Sequence, residues 1–271
     1  MKKLAKLVLA ATLGMSATYA SADAISDAAM SEHRSAQAKV RDEFRNPQQT
    51  LRFFGVKPDM TVVEIAPGGG WYADIIAPLV QKEGQYIAAH FFVDESTNDY
   101  YRKSLENFNQ KVKDSAPYQG VKVTAFHPTK ALDIAEPGSA DVVLTFRNIH
   151  NWYMGQGTEG IDNAFGAFFK ALKPGGVLGV VEHELPESAE DSAMKKSGYM
   201  KRSFVVAAAE KAGFELEEAS DINANSKDTA DHPRGVWTLP PSLKLKDQDR
   251  EKYLAIGESN RMTLKFKKPG L

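Results

Sequence analysis

Five short apolar runs recur along the chain at intervals wide enough for a helix: TVVEIA from Thr61, QYIAAHF from Gln85, VKVTAFH from Val121, DVVLTF from Asp141 and GVLGVVEH from Gly176. Their apolar residues are largely consecutive rather than alternating with polar ones. That pattern suits strands covered on both faces, and strands spaced by helices imply parallel β-α-β units. The segments between them fit the helices this requires. WYADIIAPLVQKEG closes with Gly84, STNDYYRKSLENFNQKVKD is amphipathic, and GIDNAFGAFFKALKPGG ends in a Pro-Gly-Gly stop. SFVVAAAEKAGFELEEAS reads as a helix, a glycine cap at Gly213 and a sixth strand, and NRMTLKFKKP as a seventh. The expected fold is therefore α/β: a doubly wound, mostly parallel, seven-stranded Rossmann-like sheet with helices on both faces.

Two segments flank or interrupt this core. Residues 25–45 carry a charged helical pattern that Pro47 stops, so 23–46 is expected to form a helical arm and 47–271 the α/β domain. Residues 221–249 are polar and rich in turn formers, long for a connection inside a domain, which points to a lid or a disordered loop.

The first residues place Lys2, Lys3 and Lys6 before an apolar stretch too short to span a bilayer, followed by Ala20-Ser21-Ala22. This predicts an export signal over 1–22, no stable membrane anchor after its removal, and a periplasmic or secreted protein. Cysteine is absent, which excludes disulfides and cysteine metal sites and is compatible with an oxidising compartment. Losing the signal leaves 31 basic against 35 acidic residues, a net charge of −4. Such a balance gives little attraction to nucleic acid or anionic lipid, so the expected partner is a small molecule.

In a sheet of this kind ligands bind outside the carboxyl ends of the strands, where the strand order reverses. The glycines of VVEIAPGGGW follow the first strand, at that edge. Without a Cβ, Gly68 and Gly70 can adopt positive φ and let backbone N–H groups approach a ligand. The spacing is a poor dinucleotide fingerprint, with Ala73 at the last glycine position and no acid ending the second strand, and it lacks the Gly-Lys-Ser/Thr end of a P-loop.

The pattern resembles the first motif of the class I S-adenosylmethionine-dependent methyltransferases. Glu64 holds the place of the acid, Gly68 and Gly70 those of the second and third glycines, and Ala66 that of the first. SADVVLTFRNIHNW is similar to the fourth motif of that family, FFKALKPGGVLGVVEH to its helix and fifth strand, and NRMTLKFKKP to its antiparallel last strand. More narrowly, RNPQQTLRFFGVKPDMTVVEIAPGGGWYADIIAPLV together with RNIHNW resembles a group of exported predicted methyltransferases, so the likeness spans about residues 45–268. It implies S-adenosylmethionine as cofactor, with Glu64, Ala66, Gly68 and Gly70 around its methionine and ribose parts. The acid that usually ends the second strand of the family is replaced by His90, with Asp94 further on, and these two are the expected ribose-side residues.

His90, His127, His150 and His183 each fall at or just past the carboxyl end of one of four successive strands. Methyl transfer needs the acceptor held in line with the methyl group and, where the acceptor must lose a proton, a base, a role that suits histidine. His150 in RNIHNW is the first candidate base and His183 the second. Asn148 can hydrogen-bond an acceptor or the cofactor amine, and Arg147 can meet the cofactor or an acidic substrate. His150 and His183 with Glu182 or Glu184 also have the chemistry of a divalent-metal site, but no HxH or HExxH spacing supports one, and no metal is expected. His232, Arg234 and Trp237 lie in the 221–249 segment; Trp71 reads as core. The sequence thus favours methyl transfer to a small molecule. It leaves open a binding protein that reuses the crevice and a metal-assisted enzyme on the histidine edge.

Overall fold

The computed structural model describes residues 24–270; the expected export signal, 1–22, lies outside them. Seven strands form one sheet in the order β3-β2-β1-β4-β5-β8-β7. They are β1 (Thr61–Ile65), β2 (Gln85–Phe91), β3 (Lys122–Phe126), β4 (Ala140–Phe146), β5 (Leu172–Leu185), β7 (Glu215–Ser220) and β8 (Arg261–Lys267). A two-residue strand, β6 (Met200–Lys201), pairs with the end of β5. The strands β1 to β5 run parallel, and β8 enters antiparallel between β5 and β7. The five apolar runs are the five parallel strands, and the sheet is the doubly wound one expected.

Side chains alternate across the sheet, and each face has its own core. In β1, Val63 and Ile65 join one cluster with Val143, Phe165 and Phe168, while Val62 joins the other with Ile75, Ile76, Ala88 and Leu144. No row of polar residues is therefore left in β1, β2, β4 and β5, while the edge strand β3 carries Lys122 and Thr124 and is only partly covered. Among the described residues no helix is long and apolar enough to cross a membrane.

The helices are α1 (24–30), α2 (Ala36–Val40), α3 (Asp42–Arg45), α4 (Pro47–Phe53), α5 (Ala73–Val80), α6 (Asp99–Asp114), α7 (Ile149–Ala171), α8 (Arg202–Lys211) and α9 (Arg250–Ile256). The continuous helical pattern of 25–45 is in fact three short helices. Ser35 caps α2 by accepting the Ala38 N–H, and the buried Arg34 turns back to pair with Asp42 at 2.7 Å. Asn46, at φ 40°, ends α3, and Pro47 opens α4 at a first-turn position that needs no N–H. The α7 helix starts earlier than the pattern from Gly160 indicated, directly after β4, and is interrupted at Gly157, φ 63°. An early start brings His150 to the strand edge.

Gly179, in β5, has the tightest packing reason among the strand residues to lack a side chain. A Cβ there would lie 2.6 Å from Leu144 Cδ2 and 2.7 Å from the ring of the buried Phe54. Gly179→Ala is therefore expected to destabilise the protein by about 1–3 kcal/mol through overpacking. Gly166→Ala, at an exposed helical position with nothing within 4 Å of the added carbon, should stabilise it by roughly 0.5–1 kcal/mol. Urea unfolding of the two variants checks the pair.

Candidate functional site

Between β1 and α5 the backbone turns through three left-handed residues: Ala66 (φ 48°), Gly68 (φ 58°) and Gly70 (φ 81°). The alanine occupies a conformation that costs a non-glycine residue about 1–2 kcal/mol, and its N–H is anchored on Ala89 O at 2.8 Å. The two glycines serve different ends. At Gly70 a Cβ would press on Phe108 and on Tyr118 Oη, each at 3.1 Å, so this glycine is needed for packing. At Gly68 a Cβ would meet nothing within 4 Å, because the residue faces a cavity.

That cavity has a volume of about 900 Å³ and runs along the carboxyl edge of the sheet, from Ala66 and Gly68 past Arg147 and Asn148 to His150 and His183. It is of the size that holds small ligands and cofactors. Gly70, Glu64, His90 and Asp94, expected to meet the cofactor, do not line it. Glu64 is buried behind the loop and accepts a 2.6 Å hydrogen bond from Tyr86 Oη. Burial pushes its carboxyl up to about 7 against the opposing effect of that bond. His90 is wholly buried. Its Nδ1 accepts the Phe91 N–H at 2.8 Å, so the ring proton of the neutral form resides on Nε2 and is donated to Gly68 O at 3.0 Å. Burial lowers its pKa, which favours that neutral form. With both nitrogens engaged, His90 braces the glycine loop. Asp94 pairs with Lys130 at 2.6 Å and accepts from Ser96 and Thr97, fixing the turn whose Ser96 and Thr97 do reach the cavity.

The residues after β4 reach the cavity as expected. Arg147 is left-handed (φ 61°) with its N–H on Val181 O at 2.7 Å, and Asn148 Nδ2 donates to Ile65 O at 3.0 Å, tying the ends of β4 and β1 together. His150 follows in the first turn of α7. Its Nδ1 lies 2.9 Å from Glu182 Oε1, and since a carboxylate oxygen accepts, Nδ1 carries the proton and donates. Glu182 is wholly buried and also accepts the His183 N–H at 2.7 Å. The Nε2 lone pair of His150 is thereby left for the cavity. His183, whose ring lies 5.1 Å from that of His150, has its Nδ1 2.5 Å from Ser259 Oγ. Burial, then His150 and the nearby arginines, hold His183 well below the usual histidine range, so it is neutral. Donor atoms of His150, Glu182 and His183 lie within 4.8 Å of one another, a set able to hold a divalent ion; Glu184 stands apart, paired with Arg202 at 2.9 Å.

The N-terminal helices supply part of the wall. Trp71 is half-buried, packs against the core and does not line the cavity: its Nε1 donates to Ala38 O at 3.1 Å, and the guanidinium groups of Arg34 and Arg45 lie over its ring at 5.1 and 4.6 Å. Its neighbour Tyr72 stacks on Phe146 and donates to Arg45 O. Arg45 so held lines the cavity, as does Arg261, the partner of His183 across β5 and β8. Both were missed in the sequence, where nothing distinguishes them from surface arginines. The 221–249 segment packs as a wall, with Thr238 and Leu239 fully buried and Val236 and Trp237 on the cavity. His232 turns away to Asp228 at 2.8 Å, and Arg234 lies off the cavity.

No protein-family model and no curated protein matches the chain. Solved structures do. An S-adenosylmethionine-dependent methyltransferase of Aquifex aeolicus superposes with a TM-score of 0.53 at 13% identity, over 84% of this chain and 92% of its own. The cyclase SpnF gives 0.57 at 14% identity, over 84% and 81%. A protein of Bordetella parapertussis described as a possible exported protein gives 0.51 at 13%, over 85% and 68%. The fold is thus that of the class I methyltransferases, on which a cyclase is also built.

The state of Glu64 gives a pH dependence of stability. With its folded pKa raised from 4.5 to about 7, the folded carboxyl keeps its proton where the unfolded one has lost it, so stability falls between about pH 4.5 and 7 and is constant above. Glu64→Gln lacks this term. Relative to wild type, the variant should gain on the order of 2–3 kcal/mol between pH 4.5 and 7.5, read from urea midpoints across that range.

Proposed function

We propose that this protein is an exported S-adenosylmethionine-dependent methyltransferase acting on a small molecule. The observation that carries the reading is one continuous cavity with the open Gly68 loop at one end and the free Nε2 of His150 towards the other. When bound, the cofactor supplies a methyl group on a sulfonium, and transfer leaves the sulfur–carbon electron pair on sulfur. Ala66, Pro67 and Gly68 would pass beneath it, their backbone close because no side chain projects from Gly68, and Asn148 would face it from the end of β4.

His150 and Glu182 form the acid–base part. His150 Nε2 would take the proton of an acceptor O–H or N–H placed there, and Glu182, holding Nδ1–H, would stabilise the imidazolium. His183, neutral and beside it, can orient the acceptor. Trp237 and Val236 limit the access of water from the 221–249 side. Export rests on the sequence of residues 1–22 and accords with the exported-protein description of one fold neighbour.

A second reading, a binding protein for another ligand on the same fold, is favoured by one observation: no aspartate or glutamate is among the residues lining the cavity, so the ribose has no carboxylate partner there. Calorimetric titration of S-adenosylhomocysteine separates the two. Micromolar binding is expected, weakened roughly tenfold or more in Gly68→Val, whose side chain projects into the cavity, with the melting temperature recorded as a check on folding. Folded wild-type protein that takes up no S-adenosylhomocysteine would leave the binding-protein reading.

A further inference from the structure

The charge of the cavity wall is lopsided. Arg45, Lys130, Arg147, Lys244 and Arg261 all line it, and among the described residues no carboxylate does, in a chain whose net charge is −1. Lys130 has a partner outside the wall in Asp94, at 2.6 Å. The arginines are less well matched. A single buried acid, Glu258, serves Arg41 at 2.6 Å, Arg45 at 3.2 Å and Arg261. Burial opposes its ionisation, but the arginines prevail and hold it at about 2. Arg147 forms no ion pair with any described residue, and no described group accepts a hydrogen bond from its guanidinium. It is partly exposed to the cavity, and the burial of its surroundings, then Arg261, lower its pKa to about 10. Its backbone is held left-handed, a conformation that persists only where the surroundings impose it.

A guanidinium fork that lines the cavity with no protein partner, backed by two more arginines, has the chemistry of a carboxylate or phosphate receptor. The same positive field argues against a divalent ion at His150, Glu182 and His183, because the arginines that repel a proton from His183 repel a metal ion more strongly. Two sources of an anion are conceivable, the acceptor or the amino-acid end of the cofactor. The position of Arg261 favours the first. Arg261 opens β8, three strands from β1 in the order β1-β4-β5-β8 and opposite His183, whereas the glycine loop follows β1.

We propose that Arg147, with Arg45 and Arg261, seats the anionic group of the methyl acceptor, which is therefore a small carboxylic acid or phosphate ester whose nucleophilic atom is presented to His150. The assignment of the acceptor rests on the methyltransferase reading; the anion seat itself does not. It has a further electrostatic consequence. S-Adenosylmethionine carries one net positive charge and its demethylated product none, so in this wall the product should bind more tightly than the cofactor until an anion is present.

Inorganic phosphate, titrated against chloride at equal ionic strength, is the probe. Phosphate should bind the wild-type protein and raise its melting temperature, with binding weakened roughly tenfold or more in Arg147→Gln and less in Arg147→Lys. Lys244→Gln, on the outer wall, tests the field without touching the buried cluster and should weaken phosphate severalfold. Bound S-adenosylhomocysteine should leave phosphate affinity intact, and phosphate should narrow the gap between cofactor and product. If phosphate and S-adenosylhomocysteine exclude each other, the arginines serve the cofactor carboxylate and the acceptor assignment is overturned. Absence of phosphate binding, or binding unaltered in Arg147→Gln, overturns the seat itself. Failure of the methyltransferase reading shows separately, as loss of S-adenosylhomocysteine binding with phosphate binding retained.

Discussion

One buried carboxylate organises the basic side of the cavity wall. Glu258 stands just before β8, is almost fully enclosed, and draws in arginines from the N-terminal helices and from β8 itself. Burying so many cations costs several kcal/mol each unless an anion is at hand, and Glu258 offsets this for only part of the set. Its position decides where Arg45 and Arg261 point, and with them the sign of the potential in the cavity. The glycine loop is arranged by neutral hydrogen bonding and packing and the histidine pair by Glu182; the arginine wall depends on Glu258.

The sheet was legible in the sequence because a parallel strand buried on both faces must be apolar without interruption, as the runs at Thr61, Gln85, Asp141 and Gly176 are; the run at Val121, an edge strand, is only partly covered. The ends of the strands were legible for the same reason, which brought Gly68, Arg147, Asn148, His150 and His183 to the cavity edge. The roles of Glu64 and His90 were not. A residue at a strand end may face the ligand or brace the loop, and that depends on which neighbour takes its polar atoms: Tyr86 for Glu64, and Gly68 with the Phe91 N–H for His90. Those partners are fixed by packing and leave no periodic trace.

Tautomer control at His150 was likewise beyond sequence reasoning. Alternation along β5 placed Glu182 and His183 on different sides of the strand, yet Glu182 reaches the first turn of α7 because that helix starts at Ile149, directly after the strand, and not a turn later. An imidazole with its Nδ1 proton tied to a buried carboxylate has one protonation event left to it, at Nε2. Reading the motif RNIHNW gives the residue; only the fold gives the nitrogen.

The ion pair between Arg45 and Glu258 joins positions 213 residues apart in the chain, and the Arg45 backbone is in turn pinned by Tyr72 beside the glycine loop. No partial length of polypeptide contains the full wall. The first helices must wait for the last strand before the arginines have their shared acid, so a chain still being synthesised has glycines and histidines in sequence but no arginine cluster in space. The arginine cluster is thereby a long-range feature of the fold, completed only where the first helices meet the last strand.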